Sequence, residues 1–175
     1  DGRIAAPDGS SKWISSTESR RLVHEVRGCM DAILIGIGTA LADDPELTCR
    51  NTQARRRATR IILDSRARLP LDSRLVQTAD DIPTLVVVGS HADEQAVRKL
   101  ADRGCEVPAL PASADGQPDL GALLDELGRR GMSNILVEGG STVLSKLYDN
   151  DLIDRVLAFV APRLLGHAEA LPPLT

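Results

Sequence analysis

The most informative pattern in the sequence is Asn134-Ile135-Leu136-Val137-Glu138-Gly139-Gly140-Ser141-Thr142. Its pattern is that of a short apolar strand that ends in an acid, followed by two glycines and by hydroxyl residues that open a helix. Glycines let the backbone approach a ligand closely, and the free N–H groups of a helix N-terminus favour a phosphate. The stretch therefore predicts either a phosphate-binding turn or an ordinary strand-to-helix turn.

Four more apolar runs of strand length lie at residues 32–38, 60–64, 84–89 and 155–160, and residues 1–6 are also strand-like. These runs are continuous rather than alternating, which is typical of strands covered on both faces. Helical patterns occupy residues 93–103, 120–130 and 142–148, and a capping box at Ser15–Glu18 predicts an earlier helix. The alternation predicts a three-layer α/β fold, with a mostly parallel central sheet and helices on both faces.

Composition narrows the classes of protein that the chain can belong to. With 175 residues, 42% of them hydrophobic, we expect one domain with its own core. A net charge of −4 and only one Trp, one Tyr and one Phe argue against nucleic-acid binding. The run Arg55, Arg56, Arg57 and Arg60 is interpreted as a solvated loop, although it could bind an anion.

Targeting and metal-binding patterns are not found in the sequence. It has no apolar stretch long enough to cross a bilayer and no signal-peptide pattern, so we expect a cytoplasmic protein without membrane contact. Cys29, Cys49 and Cys105 are widely spaced, and the three histidines lack ligand spacing, so we expect ordinary thiols and no metal. The abrupt beginning and the open tail lead us to expect a domain that is incomplete at both ends.

A second glycine motif follows the run at 32–38. Gly36-Ile37-Gly38-Thr39-Ala40-Leu41 begins like a dinucleotide-binding fingerprint, but Leu41 stands where the third glycine belongs. Asp43 and Asp44 follow, either as functional carboxylates or as solvated caps. In open α/β sheets ligands bind at the carboxyl ends of the strands, where both glycine motifs are expected. Together these residues suit a phosphorylated substrate and a cofactor that brings the reactive group.

The ordered set of motifs resembles the reductase domain of the bacterial bifunctional riboflavin-biosynthesis deaminase/reductase, which has a dihydrofolate-reductase-like fold. The segments that carry the resemblance are residues 1–5, 11–15, 24–27, 36–39, 41–48, 62–65, 137–142 and 161–166. The resemblance implies reduction by NADPH of the ribosyl group of 5-amino-6-(5-phosphoribosylamino)uracil to a ribityl group. It also implies a homodimer and a deaminase domain that can be fused outside this chain.

Three alternatives remain open. The archaeal and fungal reductases act on the 2,5-diaminopyrimidine instead, although Ser11-Lys12-Trp13-Ile14 looks more like the bacterial form. A dihydrofolate-reductase-like paralogue could have changed its substrate. In a third, non-catalytic alternative, the fold serves only as a nucleotide-binding module.

The resemblance implies a set of NADPH contacts and a set of substrate contacts. The cofactor set is Trp13, Thr39, Asp43, Ser65, Arg66, Gly139, Gly140, Ser141, Thr142, Val143, Leu144, Ser145 and Lys146. Within it, Ser65 and Arg66 would hold the adenosine 2′-phosphate, although Ser65 taken alone is better explained as a helix cap or turn residue. The substrate set is Ser11, Arg27, Leu47, Arg50 and Glu138.

Roles follow for five of these side chains. Arg27 and Arg50, with the Ser11 hydroxyl, would bind the substrate phosphate, while Glu138 would accept hydrogen bonds from its amine or ring N–H groups. Without the resemblance, Arg27 is a favourable cation at a helix C-terminus and Glu138 a favourable anion at a helix N-terminus. Asp43 and Glu138 are the predicted catalytic residues, with Asp43 handling a proton near the reacting carbon.

Overall fold

The computed structural model describes residues 2–7, 13–113, 116–167 and 169–174. Its strands are β1 Ala32–Gly36, β2 Thr59–Leu63, β3 Thr84–Gly89, β4 Ala109–Leu110 and β5 Ile135–Val137. They form one sheet in the order β4-β3-β2-β1-β5, and every neighbouring pair is parallel. The predicted α/β fold with a parallel central sheet is confirmed.

The helices are α1 Thr17–Arg27, α2 Ile37–Asp43, α3 Arg74–Gln77, α4 Glu94–Ala101, α5 Leu120–Arg129 and α6 Ser141–Asp149. Side chains of Asp93 and Asp119 cap α4 and α5 by accepting the N–H of the third residue that follows. The capping box predicted from Ser15 is wrong by one residue. Ser16 is the cap of α1, because its hydroxyl accepts from the Ser19 N–H. None of the helices in the described ranges has the length and apolar character of a membrane span.

Both faces of the sheet are covered by helices, as predicted. Successive strand side chains point to opposite faces, so a strand buried on both sides must be apolar at every position. Ile33 and Ile35 of β1 pack on the side of α2, α3 and α4. Ala32 and Leu34 of the same strand pack on the side of α5 and α6, where Leu127 is fully buried. The continuous apolar runs therefore reflect a three-layer core.

Three predicted elements differ from the structure. Residues 155–160 form no strand with any described residue, and Val156 and Val160 are 73% and 91% exposed, so that prediction is wrong. A strand-like sequence needs a neighbouring strand to satisfy its N–H and C=O groups, and none lies beside this one in the described ranges. Strand β1 ends at Gly36 instead of residue 38, because α2 begins at once. Of the predicted strand at residues 1–6, the described residues 2–6 contribute only the bridge Ala5–Leu171.

Arg60 corrects the interpretation of the arginine run as a solvated loop. Arg55, Arg56 and Arg57 are exposed, but Arg60 lies in β2 and is 0% exposed. Its guanidinium donates to the Thr84 hydroxyl at 2.6 Å and to carbonyls and a hydroxyl of the segment before β3. Burial lowers the pKa of Arg60 to about 10, so the buried group is still a cation at neutral pH. The side chain therefore holds that segment on the sheet.

Candidate active site

The strand order reverses at β1, so a crevice is expected at the carboxyl ends of β1 and β5. From β1 the chain builds β2, β3 and β4 on one side, and then returns to add β5 on the other side of β1. Leu34 and Val137 pair in register, so the carboxyl ends of these two strands lie together. Such a reversal of strand order is where open α/β sheets bind ligands. Both glycine motifs of the sequence follow these two strand ends.

The two glycine motifs face each other across this crevice. Gly139 and Gly140 have φ of +72° and +83°, a backbone conformation that favours glycine. A Cβ on Gly140 would lie 3.4 Å from Thr39 Oγ1, and one on Gly139 would lie 3.7 Å from it. Among the described residues no side chain caps the N-terminus of α6 that follows. The turn thus leaves a concave, glycine-lined cradle of main chain beside the Thr39 hydroxyl.

The residues of α6 that the resemblance assigns to the cofactor divide into three groups by position and burial. Val143 and Ser145 are buried, and Val143 packs in the core beneath the sheet. Ser141 and Thr142 form the first turn of the helix, at the cradle. Leu144 and Lys146 are half-buried. A phosphate in the cradle would therefore meet the first turn and its main chain, while the side chain of Val143 packs into the core.

Arg27 and Glu138 form a bidentate ion pair at the edge of the crevice. Arg27 Nε and Nη2 donate to the two Glu138 carboxylate oxygens at 2.6 and 2.5 Å, and Nη1 donates to the Thr48 carbonyl at 3.1 Å. The side chains are only 12% and 21% exposed. The Glu138 N–H donates to the Leu34 carbonyl, which fixes the acid at the end of β5. The structure thus joins two predicted substrate residues.

His24 belongs to the same cluster, although the sequence did not single it out as a site residue. Its Nδ1 lies 3.1 Å from the Thr48 carbonyl and 3.3 Å from the Arg50 N–H. Burial lowers the pKa of His24, and the Arg27 and Arg50 cations lower it further. The signal that could have found it is its spacing of three from Arg27, which places both side chains on one face of α1.

Arg50 and Leu47 occupy different environments. Arg50 is exposed, and its guanidinium donates to Glu46 at 2.6 Å, while Arg74 approaches the other Glu46 oxygen. Leu47 adopts a left-handed φ of +49°, and its side chain is part of the core. Leu47 therefore anchors the loop, and Arg50 stands at its surface where an anion can reach it.

Trp13 and Asp43 meet at a cavity of about 360 Å³. The residues that line it come from the N-terminal segment, α1, α2 and the C-terminal segment: Arg3, Ile4, Trp13, Ile14, Ser15, Arg20, Asp43 and Phe159. The indole is 62% exposed, so it is not part of the core. The structure thus brings together a predicted cofactor contact and the predicted proton-handling acid.

Ser65 and Arg66 follow β2, next to the carboxyl end of β1. The Ser65 carbonyl accepts from the Gly89 N–H at 3.1 Å, which ties this turn to the end of β3. Just before it, the fully buried Asp64 accepts from the Leu69 N–H at 2.8 Å, and burial raises its pKa. Ser11 lies outside the described residues. Within the described ranges, no group of side chains has the arrangement of a metal site.

The fold and the crevice define a parallel α/β domain that opens at the carboxyl ends of β1 and β5. Comparison with known families is specific: the model of the RibD C-terminal domain matches residues 1–175. The chain belongs to this family, which confirms the resemblance found in the sequence.

Individual relatives agree with the family match. The chain is 36% identical over 174 residues to riboflavin biosynthesis protein RibD of Actinobacillus pleuropneumoniae, covering 99% of this chain and 46% of the relative. It is 37% identical over 172 residues to the 2,5-diamino-6-ribosylamino-4(3H)-pyrimidinone 5′-phosphate reductase of Methanothermobacter thermautotrophicus, covering 97% and 76%. RibD of Acinetobacter baumannii superposes with a TM-score of 0.82 at 28% identity, covering 100% of this chain and 46% of that one. The chain thus spans about half the length of the RibD proteins it matches.

Proposed function

We propose that this chain is an NADPH-dependent reductase domain of riboflavin biosynthesis, acting on 5-amino-6-(5-phosphoribosylamino)uracil. The observation that carries the proposal is the adjacency of two kinds of site. Glu138, paired with Arg27, directly precedes Gly139 of the turn that faces Thr39. A site for a polar substrate and a cradle for a phosphorylated cofactor therefore share one edge of the sheet.

The cradle fits a dinucleotide on structural grounds. A side chain at Gly140 would fill the space beside the Thr39 hydroxyl, and the N-terminus of α6 favours an anion there. We assign the adenosine 2′-phosphate to Ser65 and Arg66, whose hydroxyl and guanidinium favour NADPH over NADH. When bound, the cofactor supplies the hydride, and the protein's task is to orient the substrate and manage protons.

The ion pair and Arg50 are proposed to hold the substrate. A guanidinium has five N–H donors, and the contacts of Arg27 with Glu138 and Thr48 use three of them, so Arg27 can keep Glu138 aligned and still donate to a phosphate. Arg50 and Ser11 would complete this phosphate site. Glu138 would accept hydrogen bonds from the substrate's amine or ring N–H groups, which fixes the orientation of the pyrimidine.

Asp43 is the proposed proton-handling group. Reduction of the ring-opened imine at C1′ requires a proton at the imine nitrogen as well as the hydride at carbon. Asp43 lines the cavity beside Trp13, on the cofactor side of the proposed site. A carboxyl group there can deliver the proton through a hydrogen bond, directly or through a water.

Asp43→Asn tests this assignment against a matched neighbour. We expect the variant to bind NADPH normally and to lose turnover by about 10²- to 10⁴-fold, the usual contribution of a positioned acid or base. The control is Asp44→Asn, because Asp44 pairs on the surface with Arg74 and Asn tolerates its left-handed backbone. NADPH titration and loss of nicotinamide absorbance give both readouts. Unchanged turnover in Asp43→Asn, or equal losses in both variants, would reject the role.

Arg50→Ala tests the phosphate site separately. We expect the substrate KM to rise far more than the NADPH KM, since the lost cation lies on the substrate side. Arg74→Ala is the control, because Arg74 contacts the same Glu46 carboxylate from the other side. A larger change in the NADPH KM than in the substrate KM would contradict the assignment.

The identity of the pyrimidine needs a direct comparison, because relatives of both kinds match at 36% and 37% identity. We propose the deaminated uracil because Trp13 and Ile14 belong to a segment of bacterial type. Faster reduction of the 2,5-diamino compound would select the archaeal and fungal type instead. Oxidation of NADPH with neither compound would favour a non-catalytic nucleotide-binding module or a paralogue with another substrate.

We also propose that the domain works in the cytoplasm as a homodimer. The exposed apolar side chains of Val156, Leu157 and Val160 support the dimer, because a second copy would remove them from water. Val160→Asp should then shift the particle mass in light scattering to that of a monomer. A wild-type protein that is already monomeric at micromolar concentration would contradict this part of the proposal.

A further inference from the structure

Trp13 is an exposed aromatic residue whose ring and main chain are each contacted by an arginine. It is the only tryptophan of the chain and is 62% exposed, yet it lines the cavity shared with Asp43 and Phe159. An exposed indole on an irregular segment, just before α1, would ordinarily sample several rotamers. A residue that forms part of a ligand site must be held in one of them.

Arg20 lies against the Trp13 ring. Its guanidinium carbon is 4.4 Å from the ring centroid, within the range of a cation–π contact. The edge of the same guanidinium is fixed by two acceptors, since Nη1 donates to the Ser15 carbonyl at 2.6 Å and Nη2 to the Thr17 hydroxyl at 3.1 Å. Arg20 is therefore tied to the start of α1, and its guanidinium carbon lies over the indole ring.

The main chain of Trp13 is held independently. Arg163 Nη1 donates to the Trp13 carbonyl at 2.8 Å, across 150 positions of sequence. Arg163 lies in the C-terminal segment, as does Phe159 of the cavity wall. One arginine thus fixes the backbone of Trp13 and the other fixes its ring.

We propose that Arg20 is a positioning residue that sets the Trp13 indole as one wall of the cavity, ready to receive a planar ring of the bound cofactor. The nature of that ring rests on the proposed function, whereas the hold of Arg20 on the indole does not. Arg20 also lines the cavity, so Arg20 and Trp13 together form part of its wall. Without Arg20, the Trp13 side chain would be free to adopt other rotamers that turn the indole away from the cavity.

Fluorescence of the single tryptophan tests the hold of Arg20 without any cofactor. Arg20→Gln removes the cation and its flat face, and Arg20→Lys keeps the charge but loses the planar fork. We expect acrylamide to quench Trp13 more strongly in both variants than in the wild type. The control is Arg21→Gln, because Arg21 is next in sequence and forms an exposed ion pair with Glu25 on the same helix.

Cofactor binding gives the second readout. We expect the NADPH Kd and KM to rise about two- to fivefold in Arg20→Gln, the range that an exposed cation–π contact supports, with a smaller change in kcat. A purely structural role would instead lower the unfolding temperature without a selective change in the NADPH KM. Thermal unfolding of each variant therefore accompanies the titrations.

The outcomes separate the hypothesis that Arg20 positions Trp13 from the hypothesis that the cavity binds the cofactor. If Arg20→Gln matches Arg21→Gln in acrylamide quenching and in NADPH KM, the positioning role is wrong. If Arg20→Gln increases quenching but NADPH never alters the wild-type Trp13 fluorescence, Arg20 holds the indole and the cofactor assignment of the cavity fails. If Arg20→Gln does not fold, Arg20→Lys decides by the same two readouts.

Discussion

A double-mutant cycle on Arg27 and Glu138 measures the coupling energy of this ion pair, which organises the proposed substrate side of the site. Exposed ion pairs contribute about 0–1 kcal/mol, whereas breaking a fully buried pair costs about 3–5 kcal/mol. With the two side chains 12% and 21% exposed and the contact bidentate, we expect a coupling energy of about 2 kcal/mol. The assay is urea unfolding of the wild type, Arg27→Ala, Glu138→Ala and the double variant.

Helix α1, which carries Arg27, also supplies a matched control for this cycle. Arg21 and Glu25 also form an ion pair, but their side chains are 66% and 37% exposed. Their coupling energy should be about 0.5 kcal/mol or less and should decline with added salt. The reasoning is refuted if the Arg27–Glu138 coupling is as small as that of the surface pair, because the site would then not be preorganised.

Three further outcomes follow from the structure. Since the pKa of His24 is lowered from its ordinary value of 6.5, stability should be full above pH 6.5 and fall as pH drops below it. Urea unfolding across pH should show this dependence, and a His24→Gln variant should lose part of it. Leu127→Ala should lower the free energy of unfolding by about 2–5 kcal/mol, because Leu127 is fully buried in the core; a loss below about 1 kcal/mol would contradict the packing. Gly140→Ala should cost about 1–2 kcal/mol through its positive φ and weaken NADPH binding, whereas Gly128→Ala, in open space within α5, should stabilise by about 0.5–1 kcal/mol. Equal NADPH affinities in the two glycine variants would contradict the cradle.

The three-layer core could be predicted from the sequence, because a strand that is buried on both faces is a continuous apolar run. Strand β1 and its neighbours follow that rule, and the caps Asp93 and Asp119 mark two helix starts. Residues 155–160 show the limit of the rule. Their composition favours a strand, but whether a strand forms depends on a neighbour that local sequence does not specify.

Individual residues of the candidate site could be predicted from the sequence, but the contacts between distant residues could not. The glycine turn and Thr39 each follow a strand end, and a parallel sheet brings such ends together. The pairing of Arg27 with Glu138 joins residues 111 positions apart, so it depends on how α1 docks against the end of β5. The interpretation of Arg60 as part of a solvated loop was wrong because its acceptors come from the segment before β3, which is distant in sequence.

The assignment of this domain as a reductase is tested by oxidation of NADPH in the presence of the phosphorylated pyrimidine. The protein is mixed with NADPH and 5-amino-6-(5-phosphoribosylamino)uracil, the nicotinamide absorbance is followed, and the product is analysed by mass spectrometry. We predict substrate-dependent loss of absorbance and a product heavier than the substrate by two hydrogen atoms, as reduction of the ribosyl to a ribityl group requires. NADPH binding without any oxidation, for this pyrimidine and its 2,5-diamino counterpart alike, would contradict the assignment of this domain as a reductase.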